Sequence, residues 1–337
     1  MVSIKKIAYA TGLGILLLLC AGMIFAYHVQ QYLYSPVSSN EAELYFEVKK
    51  GSGFSQVARA LQREGLILHP FYWQLLARAK DQAHQIKSGE YRLSFRSSPA
   101  EILQKLVNGQ VVLHQLTVVE GVTFAEFWRR VHEHPAIDHL LQDPHELQLQ
   151  LNLPSENPEG WFMPDTYTFS RGTSDVEIFR QSYQLMQDYL AAAWSERSQG
   201  LPYETPYEAL IMASIIEKET GAESERALIA GVFTGRLRKG MKLQTDPTVI
   251  YGIGKEFDGN IRKQDLSTNT PYNTYVHAGL PPTPICLVSR ASIQAALHPV
   301  DTDYLYFVSR GDGTHFFSEN YDDHLAAVRE FQLQGSP

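Results

Sequence analysis

The sequence predicts an α+β protein carried behind a single apolar helix. Three observations support this. An uncharged run, Ile7 to Tyr27, follows Lys5 and Lys6. A strand–turn–helix pattern occurs once around Gly51 and again around Gly121. In the second half of the chain, strong helix signals alternate with short aromatic strands and Gly/Pro/Asn turns.

The Ile7–Tyr27 run has 21 residues, enough for a helix to span a bilayer. A cleavable signal peptide is the rival reading, but no small-x-small site precedes a polar stretch. Residues 1–6 then form a cytoplasmic tail and 7–27 a transmembrane helix. The two lysines before the span keep the N-terminus inside, so the rest of the chain lies outside the cytoplasmic membrane. Residues 28–44, with Pro36, Ser38 and Ser39, read as a stalk. Of 337 residues, 44% are hydrophobic and 20% charged, so most of the chain is expected to fold into cores. A net charge of −8 argues against nucleic acid as a partner. The two cysteines, Cys20 and Cys286, are far apart, and no structural disulfide is expected.

Residues 45–155 form the expected first subdomain. FEVKKGSGFSQVARAL (residues 46–61) returns as a second copy in which Gly51 matches Gly121, Phe54 matches Phe124, and Arg59 matches Arg129. Between the copies lie a helix near Pro70–Ala79, a strand near Gly89–Phe95 and a helix near Pro99–Val107. The first copy resembles a LysM module, which implies a βααβ unit that binds N-acetylglucosamine polymers. The alternative is a spacer and packing platform, with Phe71, Tyr72 and Trp73 in its core. His132 and His134 are two apart on a helix and do not share a face. With no cysteine nearby, no metal site is expected.

Residues 156–337 form the expected second domain. A long helix is predicted over 174–195. Thr205-Pro206-Tyr207-Glu208 is a capping box with proline at the first helical position, and Gly221 reads as the stop. In this helix Leu210, Ala213, Ser214 and Glu217 fall at i, i+3, i+4 and i+7. Glu217 therefore extends an apolar stripe, where burial would raise its pKa as a general acid requires. It could equally cap a neighbouring loop or pair with an arginine. Glu219 lies about 200° around the helix and is expected to point elsewhere, as a structural partner of an arginine on the next helix. Asp246-Pro247 reads as an N-cap and N1 proline, which leaves Gln244 and Thr245 as ligand contacts. Tyr272 and Asn273 sit in a loop suited to carbohydrate. Tyr304–Ser309 and Thr314–Ser318 read as a hairpin around Arg310–Gly313, followed by a helix from Tyr321 to Leu333.

The segments EGWFMPDTY, MASIIEKET, LRKGMKLQTDPTVIYG, YNTY…GLPP, AALHP and YLYFVSRGDGTHFF, in this order, resemble the YceG-like family of endolytic murein transglycosylases. The resemblance covers nearly the whole chain. It implies a lyase that cuts the MurNAc-(β1→4)-GlcNAc bond of peptidoglycan strands and leaves 1,6-anhydro-MurNAc ends. It also implies that the first glutamate of SIIEKE, Glu217, is catalytic. Gln244, Thr245, Tyr272 and Asn273 are the proposed substrate contacts. A single acid suffices for this reaction and no cofactor is needed. Expected partners are the glycan strand, the cytoplasmic membrane and the peptidoglycan synthases. The rivals are a two-carboxylate muramidase using Glu217 with Asp246 or Asp165, and a non-catalytic glycan-binding scaffold.

Overall fold

The computed structural model describes residues 4–39, 41–154 and 156–333. The chain folds as two units. Unit 1 is residues 1–114 with 168–173, and unit 2 is residues 115–167 with 174–337.

Unit 1 opens with α1 (Ile4–Tyr34), which is long and apolar enough to cross a membrane. The helix runs seven residues past the end of the apolar run and replaces the first part of the expected stalk. The residues after it are tied down as well, since Ser38 N donates to Phe95 O at 3.0 Å. Then follow β1 (Glu43–Val48), α2 (Phe54–Arg63), α3 (Pro70–Ala79), β2 (Gly89–Ser94) and α4 (Pro99–Asn108). The strands β1 and β2 pair antiparallel, with Phe46 opposite Tyr91 and Val48 opposite Gly89. The segment has the βααβ order expected of a LysM-like unit. The alternating inward residues Phe46, Val48, Tyr91 and Leu93 close on Leu61, Trp73, Ile102 and Leu106 to make the core. Trp73 is fully buried and donates its indole N–H to Pro99 O at 3.0 Å. Phe71 is left exposed.

The chain passes from unit 1 to unit 2 within β3 (Leu113–Thr117). Then come α5 (Phe124–Glu133), β4 (Ile137–Asp138), α6 (Pro144–Leu151), β5 (Thr166–Ser170) and β6 (Thr173–Ser174). The repeat is real at the backbone. Gly51 and Gly121 both adopt positive φ, 79° and 75°, which a side chain would resist. The two copies nevertheless fall in different units: the first lies in unit 1, which takes residues 1–114 and 168–173, and the second lies in unit 2. Phe124 and Phe127 of the second copy pack with Phe162 and Phe179 of unit 2.

The rest of unit 2 is α7 (Asp175–Ser195), α8 (Pro206–Glu219), α9 (Glu223–Arg238), α10 (Asp246–Ile253), α11 (Lys263–Ser267) and α12 (Arg290–Leu297), then the hairpin β7 (Tyr306–Ser309) and β8 (His315–Ser318), and α13 (Tyr321–Val328). The hairpin is antiparallel, with Phe307 opposite Phe317, and Arg310 N closes its turn on Thr314 O at 2.9 Å. The start of α8 follows its sequence signal. Thr205 caps α8 through a capping box with Glu208. The end of α8 differs from expectation: Thr220 turns extended (φ −142°, ψ 135°) and its hydroxyl accepts from Ala222 N, so no left-handed glycine is used.

Candidate functional site

Every residue of α8 from Ala209 to Ile216 is buried. A helix enclosed on all sides has no single inward face, so the stripe through Leu210, Ala213 and Ser214 does not choose between its two glutamates. Both carboxylates point into protein.

Glu217 is fully engaged. Its Oε2 accepts from Ser289 N at 3.0 Å and from Ser289 Oγ at 2.5 Å. Ser289 is the N-cap of α12. The Arg226 guanidinium lies 3.9 Å from Oε1, and only 6% of the Glu217 side chain is exposed. It is therefore Glu217, not Glu219, that meets an arginine of the next helix and holds a neighbouring element.

Glu219 lines an open cavity of about 520 Å³, together with Arg236, Gln244, Asp246, Tyr275, Tyr306 and His315. Burial pushes its pKa up to about 7. The hydroxyl of Thr245, which donates to Oε1, opposes that rise; the Asp246 carboxylate adds to it; His315 and Arg236 oppose it more weakly. The result is a carboxylic acid facing a cavity and half-protonated near neutrality.

The loops that shape this cavity are specified locally. Gln244 adopts φ +51°, a left-handed conformation that is costly for a side-chain-bearing residue, and this places Gln244 along the cavity. Thr245 N donates to Thr274 Oγ1 at 3.1 Å, and Gln244 N to Thr274 O at 3.2 Å, so the 244–248 and 273–275 segments are interlocked. Thr245 itself is 2% exposed and meets the acid directly. Asp246 is the first residue of α10 and makes no cap; Thr245 occupies the cap position. Instead the Asp246 carboxylate accepts from Tyr275 OH at 2.6 Å in the cavity. Arg236 donates to Leu305 O at 2.6 Å and Leu243 O at 2.8 Å and lies over the Tyr306 ring, joining α9 to the hairpin. His315 N and Nδ1 both meet the Glu225 carboxylate, at 3.0 and 2.7 Å.

Two of the four expected contacts are thus at the acid and two are not. Asn273 is 1% exposed, and its amide is consumed by Asp265 O, Thr268 O and Tyr275 N. It shapes its own loop. The Tyr272 hydroxyl is 2.9 Å from Thr283 Oγ1, and its ring packs on Tyr251, away from the Glu219 cavity. From the sequence, neither Glu219 nor Tyr275 is placed at this cavity, and Asp246 is named only as a cap or as the second carboxylate of the muramidase rival. The signal for Tyr275 was present in the same YNTY segment, two residues beyond Asn273.

A second cavity, of about 810 Å³, is lined by Glu126, Arg129, Glu159, Lys218 and Tyr251 among others. Burial pushes the Glu159 pKa up to about 7, against hydrogen bonds from Phe124 N and Tyr251 OH. Lys218 and Glu219, adjacent on α8, thus face different cavities.

The histidine cluster that forms in unit 2 is His132, His139 and Asp175, not His132 with His134. The His132 and His139 rings stack with 5.1 Å between centroids and 15° between planes. His132 Nε2 lies 3.6 Å from Asp175 Oδ2. Asp175 Oδ2 already accepts from Leu140 N and Leu141 N.

Known proteins resemble this architecture. The family model described as YceG-like family matches residues 46–330. An endolytic murein transglycosylase of Bacillus subtilis (strain 168) is 31% identical over 84% of this chain and 83% of its own length. Another, from Streptococcus pneumoniae serotype 2, is 27% identical over 94% of this chain and 63% of its own length. The crystal structure of a YceG-like protein from Listeria monocytogenes superposes with a TM-score of 0.54 at 28% identity, covering 86% of this chain and all of that one. By its length of match and its mixed α+β fold, the chain belongs to the YceG-like family.

Proposed function

We propose that this protein is a lytic transglycosylase that cuts the MurNAc-(β1→4)-GlcNAc bond within peptidoglycan strands, with Glu219 as its acid and base. The observation that carries the reading is a carboxyl at the wall of an open cavity with its pKa pushed up to about 7. Glu219 gives its proton to the glycosidic oxygen as the C1–O bond breaks, and the GlcNAc leaves with a free 4-hydroxyl. The carboxylate then takes the proton of the MurNAc C6 hydroxyl, whose oxygen attacks C1. This closes the 1,6-anhydro ring and returns Glu219 to its protonated form. No water is consumed. Gln244 and Tyr275 stand where they can hold the sugars, and Thr245 orients the acid. The relatives named endolytic murein transglycosylase support the substrate and reaction. In the same reading α1 crosses the cytoplasmic membrane, with Lys5 and Lys6 inside and the chain after α1 outside, beside the synthases that supply the strands.

A second reading rests on Asp246. It shares the cavity with Glu219, as a muramidase's paired carboxylates would. In the lyase reading the Asp246 carboxylate serves to help keep the proton on Glu219. Digestion of purified peptidoglycan and mass analysis of the products decides between them. Ends one water lighter than a reducing sugar support the lyase, ordinary reducing ends support the muramidase, and no fragments at all support a scaffold. In the same assay Glu219→Gln is expected to abolish product, and full activity in that variant would refute the assignment. Glu217→Gln is expected to keep the chemistry in whatever fraction folds.

A further inference from the structure

One face of α3 is left uncovered by its own unit. Trp73 and Ala77 point into the core, while Leu68, Phe71 and Leu75 are 54%, 69% and 50% exposed. Phe71 and Leu75 are one turn apart on the same face of α3, and Leu68 lies just before the helix begins at Pro70.

This face lies beside the anchor helix. The Tyr72 ring packs edge-on against Phe25 at 5.9 Å and against Tyr32 at 6.0 Å. Phe25 and Tyr32 are seven apart, on one face of α1. The Tyr32 hydroxyl accepts from Leu68 N at 3.0 Å and His69 N at 2.8 Å, which pins the start of α3 to α1. Phe25 belongs to the uncharged run and sits two residues from its end. At 1.5 Å per residue that is about 3 Å inside the edge of the hydrocarbon. A ring touching Phe25 is therefore at the depth where acyl chains meet headgroups, the depth at which aromatic side chains concentrate. The C-terminal end of α3 carries Arg78, and Lys80 lies 5.7 Å over the Tyr34 ring; cations there suit anionic headgroups.

We propose that the Phe71–Leu75 face of α3, with Leu68 just before it, lies in the lipid interface beside α1, so that unit 1 is seated on the membrane rather than held off it by a stalk. The proposal rests on α1 spanning the bilayer, and the test separates the two. The full chain, with Cys20→Ser, is reconstituted into vesicles of phosphatidylethanolamine and phosphatidylglycerol. Single nitroxide labels are placed through Leu17→Cys in α1, Phe71→Cys and Leu75→Cys in α3, and Leu149→Cys, an exposed position in unit 2. Collision with oxygen, which concentrates in lipid, is compared with collision with a water-soluble nickel chelate. Oxygen is expected to dominate at Leu17 strongly and at Phe71 and Leu75 moderately, and the chelate at Leu149. Chelate dominance at Leu17 refutes the spanning helix itself. With Leu17 in lipid, a Phe71 label that behaves like Leu149 overturns the proposal and leaves Phe71 free for glycan. Exclusion of both reagents at Phe71 also overturns it, in favour of a protein contact.

Discussion

Glu219 holds a proton near neutrality because its surroundings cannot solvate a charge, and Asp246 opposes a second negative charge nearby. Its proposed function and its effect on stability therefore follow the same pH. If its protonated form starts the reaction, kcat/KM is expected to fall as pH rises through about 7, read from a pH–rate profile on defined glycan. The stability effect has a definite sign. In the unfolded chain a glutamate ionises near 4.5, whereas Glu219 and Glu159 keep their protons to about 7, so the folded state binds more protons between these values. Each group's contribution is whole below 4.5, declines as pH rises, and is gone above 7. It is on the order of 3 kcal/mol per group. Glu159→Gln should flatten that decline, measured by denaturant unfolding at pH 5 and pH 8. An equally steep decline in the variant would show that Glu159 is not its source. The sequence pointed to Glu217 within Glu217-Lys218-Glu219, whereas the proposed reading gives the role to Glu219; Gln244 and Thr245, also read from the sequence, do meet at the Glu219 cavity. Stripe reasoning could not decide between the glutamates, because it needs a helix with one wet side and α8 is buried all round from Ala209 to Ile216.

Elements whose ends carry side-chain chemistry were legible from the sequence. The capping box at Thr205 and the Arg310–Gly313 turn stand where the residues put them. What local signals do not carry is the partner across space. The α12 cap shows this, since Ser289 is held by Glu217 from seventy-two residues away. Ser289→Ala is expected to cost about 0.5–2 kcal/mol, the usual value of an N-cap. Glu217→Ala should cost at least as much, because it also leaves the Arg226 guanidinium facing no carboxylate at 15% exposure. Denaturant titration of the two single variants and the double variant would show their coupling; strictly additive costs would sink the link between α8 and α12. Close approach between elements is similarly invisible in the sequence. A Cβ on Gly231 of α9 would stand 2.3 Å from Val300 O, so Gly231→Ala is expected to destabilise by about 1–3 kcal/mol or more.

At the scale of the whole molecule, the twice-used strand–turn–helix was visible in the sequence, but its division between two cores was not. Pattern matching reports that segments are alike, whereas core membership depends on which apolar faces meet. Two cores predict unfolding that is not two-state. Leu61→Ala, in the unit 1 core, should shift one calorimetric transition, and Phe233→Ala, in unit 2, the other. Core truncations of this kind cost about 2–5 kcal/mol. A single transition shifted equally by both variants would refute the separation.

The cavity at Glu219 also sets an order of events. Its acid belongs to α8, but Tyr306, Val308, His315, Tyr321, His324 and Val328 along its wall come from the hairpin and α13. α8 can be helical, capped and buried while the site has only half its lining. A chain interrupted before residue 305 would thus carry the acid without a groove to hold a sugar. In the proposed reading, synthesis therefore builds in a delay: wall-cutting activity is expected only after the hairpin and α13, the parts of the site made last, have folded over the acid.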